Sequence, residues 1–204
     1  MEGQQGGIIL HNQKIKRMAL TGLLMALVIV LQLLSGIIPP VGGFSISLVL
    51  IPIVLGAALL GPAVGALLGA TFSVVVIINC ITGADVGGAM VFQANPVLCI
   101  LVVMTKGTLA GYVSGLVYAK LSVSKLGDHV AMVCAAIVCP VVNTGVFVAC
   151  MLAFFKDVLA AWAGGGDIIA YVLTGLVVAN FIPELAINIV FSPASVRIKR
   201  VVKK

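Results

Sequence analysis

The stretch PVLCILVVMTKGTLAGYVSGLVYA, residues 96–119, decides the fold of this chain. It is apolar along its length and carries a single charged residue, Lys106, near its middle. A helix needs about 20 apolar residues to cross the hydrocarbon of a bilayer, and this stretch is long enough. A lysine at the centre of such a helix costs at least about 2.5–3.5 kcal/mol, so it is expected to face a cavity, a partner or a charged ligand.

The composition of the whole chain agrees with a membrane protein. Of the 204 residues, 62% are hydrophobic and 9% are charged, whereas an ordinary soluble domain is about a quarter charged. We therefore predict an all-α, integral membrane protein in contact with the lipid bilayer. The net charge of +6 does not indicate nucleic-acid binding, because the basic residues lie in short segments at the membrane edge.

Six apolar segments predict a six-helix bundle. They cover about residues 18–38, 46–60, 62–81, 96–119, 129–155 and 168–192. The chain then divides into an N-terminal segment 1–17, a six-helix transmembrane substrate-binding domain 18–192 and a basic tail 193–204. The longer connections 36–45, 82–95 and 156–167 are predicted to be loops on one side of the membrane.

The basic residues predict the orientation of the bundle. Cytoplasmic segments are enriched in Lys and Arg. Ten of the twelve basic residues lie on the side opposite the three longer loops, namely Lys14, Lys16, Arg17, Lys120, Lys125, Arg197, Lys199, Arg200, Lys203 and Lys204. Both termini are therefore predicted to be cytoplasmic, and the three loops to face outward.

Small residues recur at a spacing of four in three of the predicted helices. Glycines lie at positions 61, 65 and 69 at the third predicted helix and at positions 107, 111 and 115 in the fourth. This spacing lets two helix backbones approach closely in lipid. The first helix carries Ala19, Gly22 and Ala26, which we interpret as a patch that can face a partner.

Polar side chains inside the spans predict a binding pocket, because an unsatisfied polar group is costly in lipid. Most of them fall between the midplane and the outer surface, which favours a pocket open to the outside and covered by loops. The candidates in the spans are Lys106, Asn79, Asn143, Thr144 and Asn180, and the outer loop just before the fourth helix adds Gln93 and Asn95. A structural alternative stays open, in which Lys106 pairs with Glu184 and the asparagines bridge helices.

Motifs of catalysis are missing from the sequence. It contains no phosphate-binding Gly-x-x-x-x-Gly-Lys-Ser/Thr loop and no His-Glu-x-x-His pair. The five cysteines form no Cys-x-x-Cys pair, and in apolar spans free cysteine acts as a small hydrophobe. We therefore expect no enzyme activity, no metal and no cofactor.

Five segments, taken in order, resemble the substrate-binding S component of energy-coupling factor (ECF) vitamin transporters. They read MALTGLLMA (18–26), LGAALLGPAVGALLG (55–69), KGTLAGYVSGLVY (106–118), VNTGVF (142–147) and NFIPELAIN (180–188). The resemblance implies a plasma-membrane protein that binds one micronutrient from outside. It also implies docking on a membrane-embedded coupling (T) subunit that works with two cytoplasmic ATPases.

Two positions depart from the pattern that the resemblance implies. Members of this family usually dock through an Ala-x-x-x-Ala pair on the first helix, where this chain has Gly22-x-x-x-Ala26. The family often has arginine where this chain has Lys106, so the positive charge is kept while bidentate pairing to a carboxylate is lost.

The aromatic content bears on the substrate. Only 6% of residues are aromatic, and flat vitamins are often held by stacking. A sparse aromatic pocket with one central cation suits a small, flexible carboxylate such as pantothenate. Riboflavin or folate, which Trp162 could stack against, remains an alternative, as does a stand-alone secondary transporter that would use Glu184 as its only intramembrane carboxylate.

Overall fold

The structure, a computed structural model, describes residues 2–35, 48–125 and 127–202. All regular structure in these residues is helical, which confirms the predicted all-α bundle. The helices are α1 (Glu2–Ser35), α2 (Leu50–Leu60), α3 (Pro62–Thr82), α4 (Val86–Ala94), α5 (Pro96–Ser122), α6 (Gly127–Phe154), α7 (Lys156–Trp162), α8 (Ile168–Tyr171) and α9 (Ile182–Val202). A π-helical segment, Val172–Phe181, joins α8 to α9 without a break.

Within the described ranges, five helical stretches are long and apolar enough to cross a membrane. They are Gln13–Ser35, Pro62–Thr82, Pro96–Ser122, Gly127–Phe154 and Ile168–Val201. The remaining predicted segment, 46–60, contains α2, which has 11 residues and is about 16 Å long, too short to cross alone. The predicted loop 36–45 and the first two residues of the predicted second helix, 46–47, lie outside the described residues.

The prediction of plain loops at 82–95 and 156–167 was wrong, because each holds a short helix, α4 or α7. Asp85 starts α4, since its carboxylate accepts a hydrogen bond from the Gly88 N–H at 3.1 Å and so caps the helix. The two short helices touch where the Trp162 indole N–H donates to the Met90 sulfur at 3.3 Å. They cover the same end of the bundle.

The glycine pattern brings α3 and α5 into direct backbone contact, as predicted. Gly65 packs against Gly111, and Gly69 packs against Gly107. A Cβ atom added to Gly107 would lie 2.7 Å from the Gly69 carbonyl oxygen, closer than real Cβ contacts. One turn further along, the Ser73 hydroxyl donates to the Val103 carbonyl at 2.7 Å. These contacts fix the spacing and register of the two helices.

The last membrane helix changes its winding at the cavity. The π-helical turns end at Ile182, whose N–H donates to the Val177 carbonyl five residues back. Pro183 follows, and in an α-helix its ring would clash with the carbonyl four residues earlier. The wider turns before Pro183 accommodate this ring, and π-helical turns occur frequently at functional sites.

Helix α1 has two distinct faces. Its inward stripe is buried against the bundle and consists of Leu24, Val28, Gln32 and Ser35. The small residues Ala19, Gly22 and Ala26 are exposed and lie roughly on the opposite side of the helix, given 3.6 residues per turn. A Cβ atom added to Gly22 would meet nothing within 4 Å. The predicted partner patch is therefore accessible in the monomer.

A polar cluster ties α5, α6 and α9 together at the end of the bundle away from α4 and α7. The Lys199 ammonium lies 2.5 Å from the Asp128 carboxylate and 4.7 Å from the centroid of the Tyr118 ring. The Tyr118 hydroxyl donates to Asp128 and accepts from Lys199. This cluster holds the three helices together at that end.

Candidate functional site

A cavity of about 90 Å³ lies between α1, α3, α5, α6 and the π-helical segment, beside the start of α4. Its wall combines apolar side chains with an unusual number of polar ones for the inside of a membrane bundle. The polar lining consists of Gln32, Asn79, Asp85, Lys106, Asn143, Thr144, Asn180 and Glu184, together with the thiols of Cys80 and Cys99.

Lys106 reaches the cavity because α5 turns one face toward it. Cys99, Val102, Val103 and Lys106 all line the cavity, and their spacing places them on one side of an α-helix. The Lys106 ammonium lies over the Phe147 ring, 4.5 Å from its centroid. A cation over an aromatic face is attracted to it, which accounts for part of the stabilisation of this charge in the bundle.

Lys106 makes no ion pair within 4 Å with any carboxylate in the part of the chain that the structure describes. Asp85 and Glu184 line the same cavity and act on the ammonium at longer range. The direct Lys106–Glu184 ion pair of the structural alternative is therefore not formed in this structure. The cationic head is placed to meet an anionic group inside the cavity.

Several acceptor atoms of the cavity wall are buried and have no hydrogen-bond partner among the described residues. They are Gln32 Oε1, Asn143 Oδ1, Thr144 Oγ1 and Asn180 Oδ1. Leaving a buried polar group unsatisfied costs about 1–3 kcal/mol. The four atoms around one cavity can therefore accept hydrogen bonds from donor groups of a molecule that enters it.

Proline and the π-helical turns help to place these groups. Pro140 interrupts the backbone hydrogen bonds of α6 one turn before Asn143 and Thr144. Asn180 lies in the π-helical segment and Glu184 follows Pro183, and both side chains line the cavity. Asn188, one turn after Glu184, is buried outside the cavity lining and donates to the Glu184 carbonyl at 2.8 Å.

The predicted site residues divide into two groups. Asn79, Lys106, Asn143, Thr144 and Asn180 line one cavity. The other three do not line it: Gln93 is exposed on α4, Asn95 caps α5 by accepting from the Leu98 N–H at 3.0 Å, and Trp162 packs toward Met90 and Tyr171.

Two polar residues of the cavity were missed by the sequence analysis. Gln32 is the one amide in the apolar run LVIVLQLL (27–34), and a lone polar residue within a span is the signal that could have found it. Asp85 reaches the cavity because it caps α4, a helix that the hydropathy pattern does not predict. No group of three metal-binding side chains occurs within the described residues.

The comparison with protein families identifies the class of the chain. A family model described as the substrate-specific component of the ECF transporter matches residues 16–195. No curated protein and no solved structure matches the chain significantly. The chain therefore belongs to the family of ECF transporter substrate-specific components, multi-pass membrane subunits that bind a small molecule and work with a membrane-embedded T subunit and ATPases.

Proposed function

We propose that the chain captures a small, flexible carboxylate vitamin from outside the cell, with pantothenate as the best candidate. The observation that carries this proposal is the Lys106 ammonium, which lines the cavity without a carboxylate within 4 Å among the described residues. An anionic ligand would supply the missing counter-charge. A hydrogen bond to a charged group contributes about 1.5–3 kcal/mol.

The rest of the cavity wall supports the same ligand class. Pantothenate carries one carboxylate, one amide and two hydroxyl groups. Its carboxylate would meet Lys106, and its amide and hydroxyl groups would donate to the acceptors of Asn143 and Asn180 and bind Asn79. Phe72 and Phe147 are the aromatic residues in the described lining, so stacking surface for a large flat ring is small, which disfavours riboflavin and folate.

The distribution of basic residues supports the orientation of the proposed transporter. We place both termini in the cytoplasm, with 1–17 and the tail 193–204 as cytoplasmic segments, because ten of the twelve basic residues lie on that side. The cavity then opens toward the outer side, where α4 and α7 lie. We assign docking on the T subunit to the exposed face of Ala19, Gly22 and Ala26.

The test is equilibrium binding of radiolabelled pantothenate to the purified full-length protein, with unlabelled riboflavin and folate as competitors. We expect saturable binding with a Kd below about 1 µM, and we expect that neither competitor displaces the bound pantothenate. Absence of binding at about micromolar ligand would refute pantothenate. The native mass of the protein as purified would reveal a different retained ligand.

One observation favours a second function, a stand-alone secondary transporter. Glu184 is a carboxylate inside the cavity, and intramembrane carboxylates serve as proton relays in such transporters. Uptake of pantothenate into vesicles that contain this chain alone, driven by a proton gradient without ATP, would support it. Uptake that requires the T subunit and the ATPases would exclude it.

A further inference from the structure

We propose that Gln32 contacts the ligand and couples the filling of the cavity to docking of the T subunit through α1. This inference rests on the proposed function, because it takes the cavity as the ligand site and the small-residue face of α1 as the docking site.

Gln32 has the features of a ligand contact. Its side chain is 8% exposed, it lines the cavity, and its Oε1 atom has no hydrogen-bond partner among the described residues. The residues beside it in 27–34 are apolar, and the hydroxyl of Ser35, the next polar residue on the same stripe, donates to the Leu31 carbonyl. A buried amide that lacks a partner lowers stability, and a donor group on a ligand would remove that cost.

Gln32 is also the only residue of α1 in the described cavity lining. A hydrogen bond from the ligand to Gln32 would therefore be the ligand's polar contact with this helix. The other polar wall groups belong to α3, α5, α6, the start of α4 and the last membrane helix. Occupation of the cavity would thus add a ligand-mediated polar contact to the apolar packing that already joins α1 to the bundle.

Helix α1 is well placed to transmit such a contact. In its most apolar window 22% of the residues are buried, against 50% for α3, so most of the α1 surface faces away from the bundle. Ala19, Gly22 and Ala26 lie on the exposed face. Gly22 is ten residues from Gln32, about 15 Å along the same helix. A shift of α1 at Gln32 therefore moves the docking face with it.

The coupling has a measurable form. If the ligand changes the affinity for the T subunit by some factor, the T subunit changes the affinity for the ligand by the same factor. A side chain that carries this coupling should, when removed, bring that factor toward one. A side chain that only binds the ligand should weaken ligand binding and leave the factor unchanged.

The experiment compares wild-type protein with Gln32→Leu and, as the control, Ser35→Ala. Ser35 lies on the same buried stripe, outside the cavity lining, and its hydroxyl donates to the Leu31 carbonyl within α1. For each full-length protein we measure the Kd for pantothenate and the thermal midpoint without ligand. We also measure the Kd for docking on the purified T subunit with its ATPases, once without and once with saturating pantothenate. The ratio of these two docking Kd values reports the coupling.

We expect Gln32→Leu to raise the Kd for pantothenate about three- to tenfold, as for loss of one neutral hydrogen bond. The ratio of the two docking Kd values should fall to about one in this variant and stay at the wild-type value in Ser35→Ala. The midpoint without ligand should not fall, because the substitution removes a buried amide with an unsatisfied acceptor. A purely structural glutamine would give a lower midpoint.

Each contrary result has a distinct meaning. An unchanged pantothenate Kd in Gln32→Leu overturns the ligand contact. A weaker pantothenate Kd with an unchanged docking ratio, or a wild-type docking ratio of one, overturns the coupling alone. A wild-type protein that binds none of pantothenate, riboflavin and folate overturns the proposed function, and the inference falls with it.

Discussion

Replacement of Lys106 by methionine isolates the charge that the proposed function depends on. Methionine keeps an unbranched, flexible side chain of similar length and removes the ammonium. In the structure that ammonium lies 4.5 Å from the centroid of the Phe147 ring, and among the described residues no carboxylate lies within 4 Å of it. The variant therefore removes the group that a ligand carboxylate would meet. It leaves no described carboxylate within 4 Å that has lost its ion-pair partner.

The expected loss can be estimated from the geometry. A hydrogen bond to a charged group contributes about 1.5–3 kcal/mol net. The bare Coulomb attraction of two unit charges at about 4 Å is about 4 kcal/mol at an effective dielectric constant of about 20, and this is an upper limit because the carboxylate must leave water. With about 1.4 kcal/mol for each factor of ten, Lys106→Met should raise the Kd for pantothenate about 10- to 150-fold.

The assay is a two-by-two comparison of proteins and ligands. Wild type and Lys106→Met are each titrated with pantothenate and with its alcohol analogue, in which a neutral hydroxymethyl group replaces the carboxylate. The Kd for the alcohol should rise less than about threefold in Lys106→Met, because its contacts with the amide side chains remain and it has no charge to pair. The difference between the two losses measures the charge interaction without the effects common to both ligands.

An equal loss for both ligands would refute the reasoning, because it would show that the substitution disturbs the cavity rather than a charge pair. A second measurement checks the fold. The variant without ligand should unfold at a temperature at least as high as wild type, since it removes a charge that is costly in lipid. A lower unfolding temperature would indicate that Lys106 stabilises the empty bundle.

Three further predictions concern the fold and the docking face. Gly69→Ala should lower the free energy of unfolding by about 3 kcal/mol, measured by denaturant titration in detergent, because its Cβ atom would meet a backbone carbonyl of α5; an unchanged stability would contradict the close packing. Gly22→Leu should abolish pull-down of the T subunit with pantothenate binding intact, whereas the control Gly145→Leu, also at an open position, should leave both unchanged; equal loss in the two variants would argue against a docking role. Asp128→Asn should lower the unfolding free energy by about 1.5–3 kcal/mol, since it removes a charged hydrogen-bond acceptor of Lys199, and a thermal midpoint at or above that of wild type would exclude a stabilising role.

The membrane helices could be predicted because the length of an apolar stretch is a local property of the sequence. The predicted span 62–81 matches α3 (Pro62–Thr82) within one residue. Helix α1 begins earlier than the predicted span 18–38, at Glu2, because hydropathy marks the part suited to lipid and not the helix end. The short helix α4 was missed because its start depends on a side-chain cap at Asp85.

The cavity was predictable only where polar residues stand out from an apolar background. Asn143, Thr144 and Lys106 do so, and all three line the cavity. The cap at Asn95 could not be told from a ligand contact, because its role depends on the turn that starts α5. The π-helical winding that precedes Pro183 also depends on tertiary packing, and the period of the sequence does not reveal it.

The backbone contact between α3 and α5 divides the chamber into a rigid part and an adjustable part. With glycine facing glycine, the two helices cannot come closer, and the Ser73 hydrogen bond opposes sliding. Lys106 directly precedes Gly107 on α5, so these contacts hold the backbone that carries its side chain in place. The walls from α1, α6 and the π-helical turns are then the parts of the cavity that can adjust to the shape of a nutrient. Substitutions in these walls would change which ligand binds, while the backbone at Lys106 stays in place.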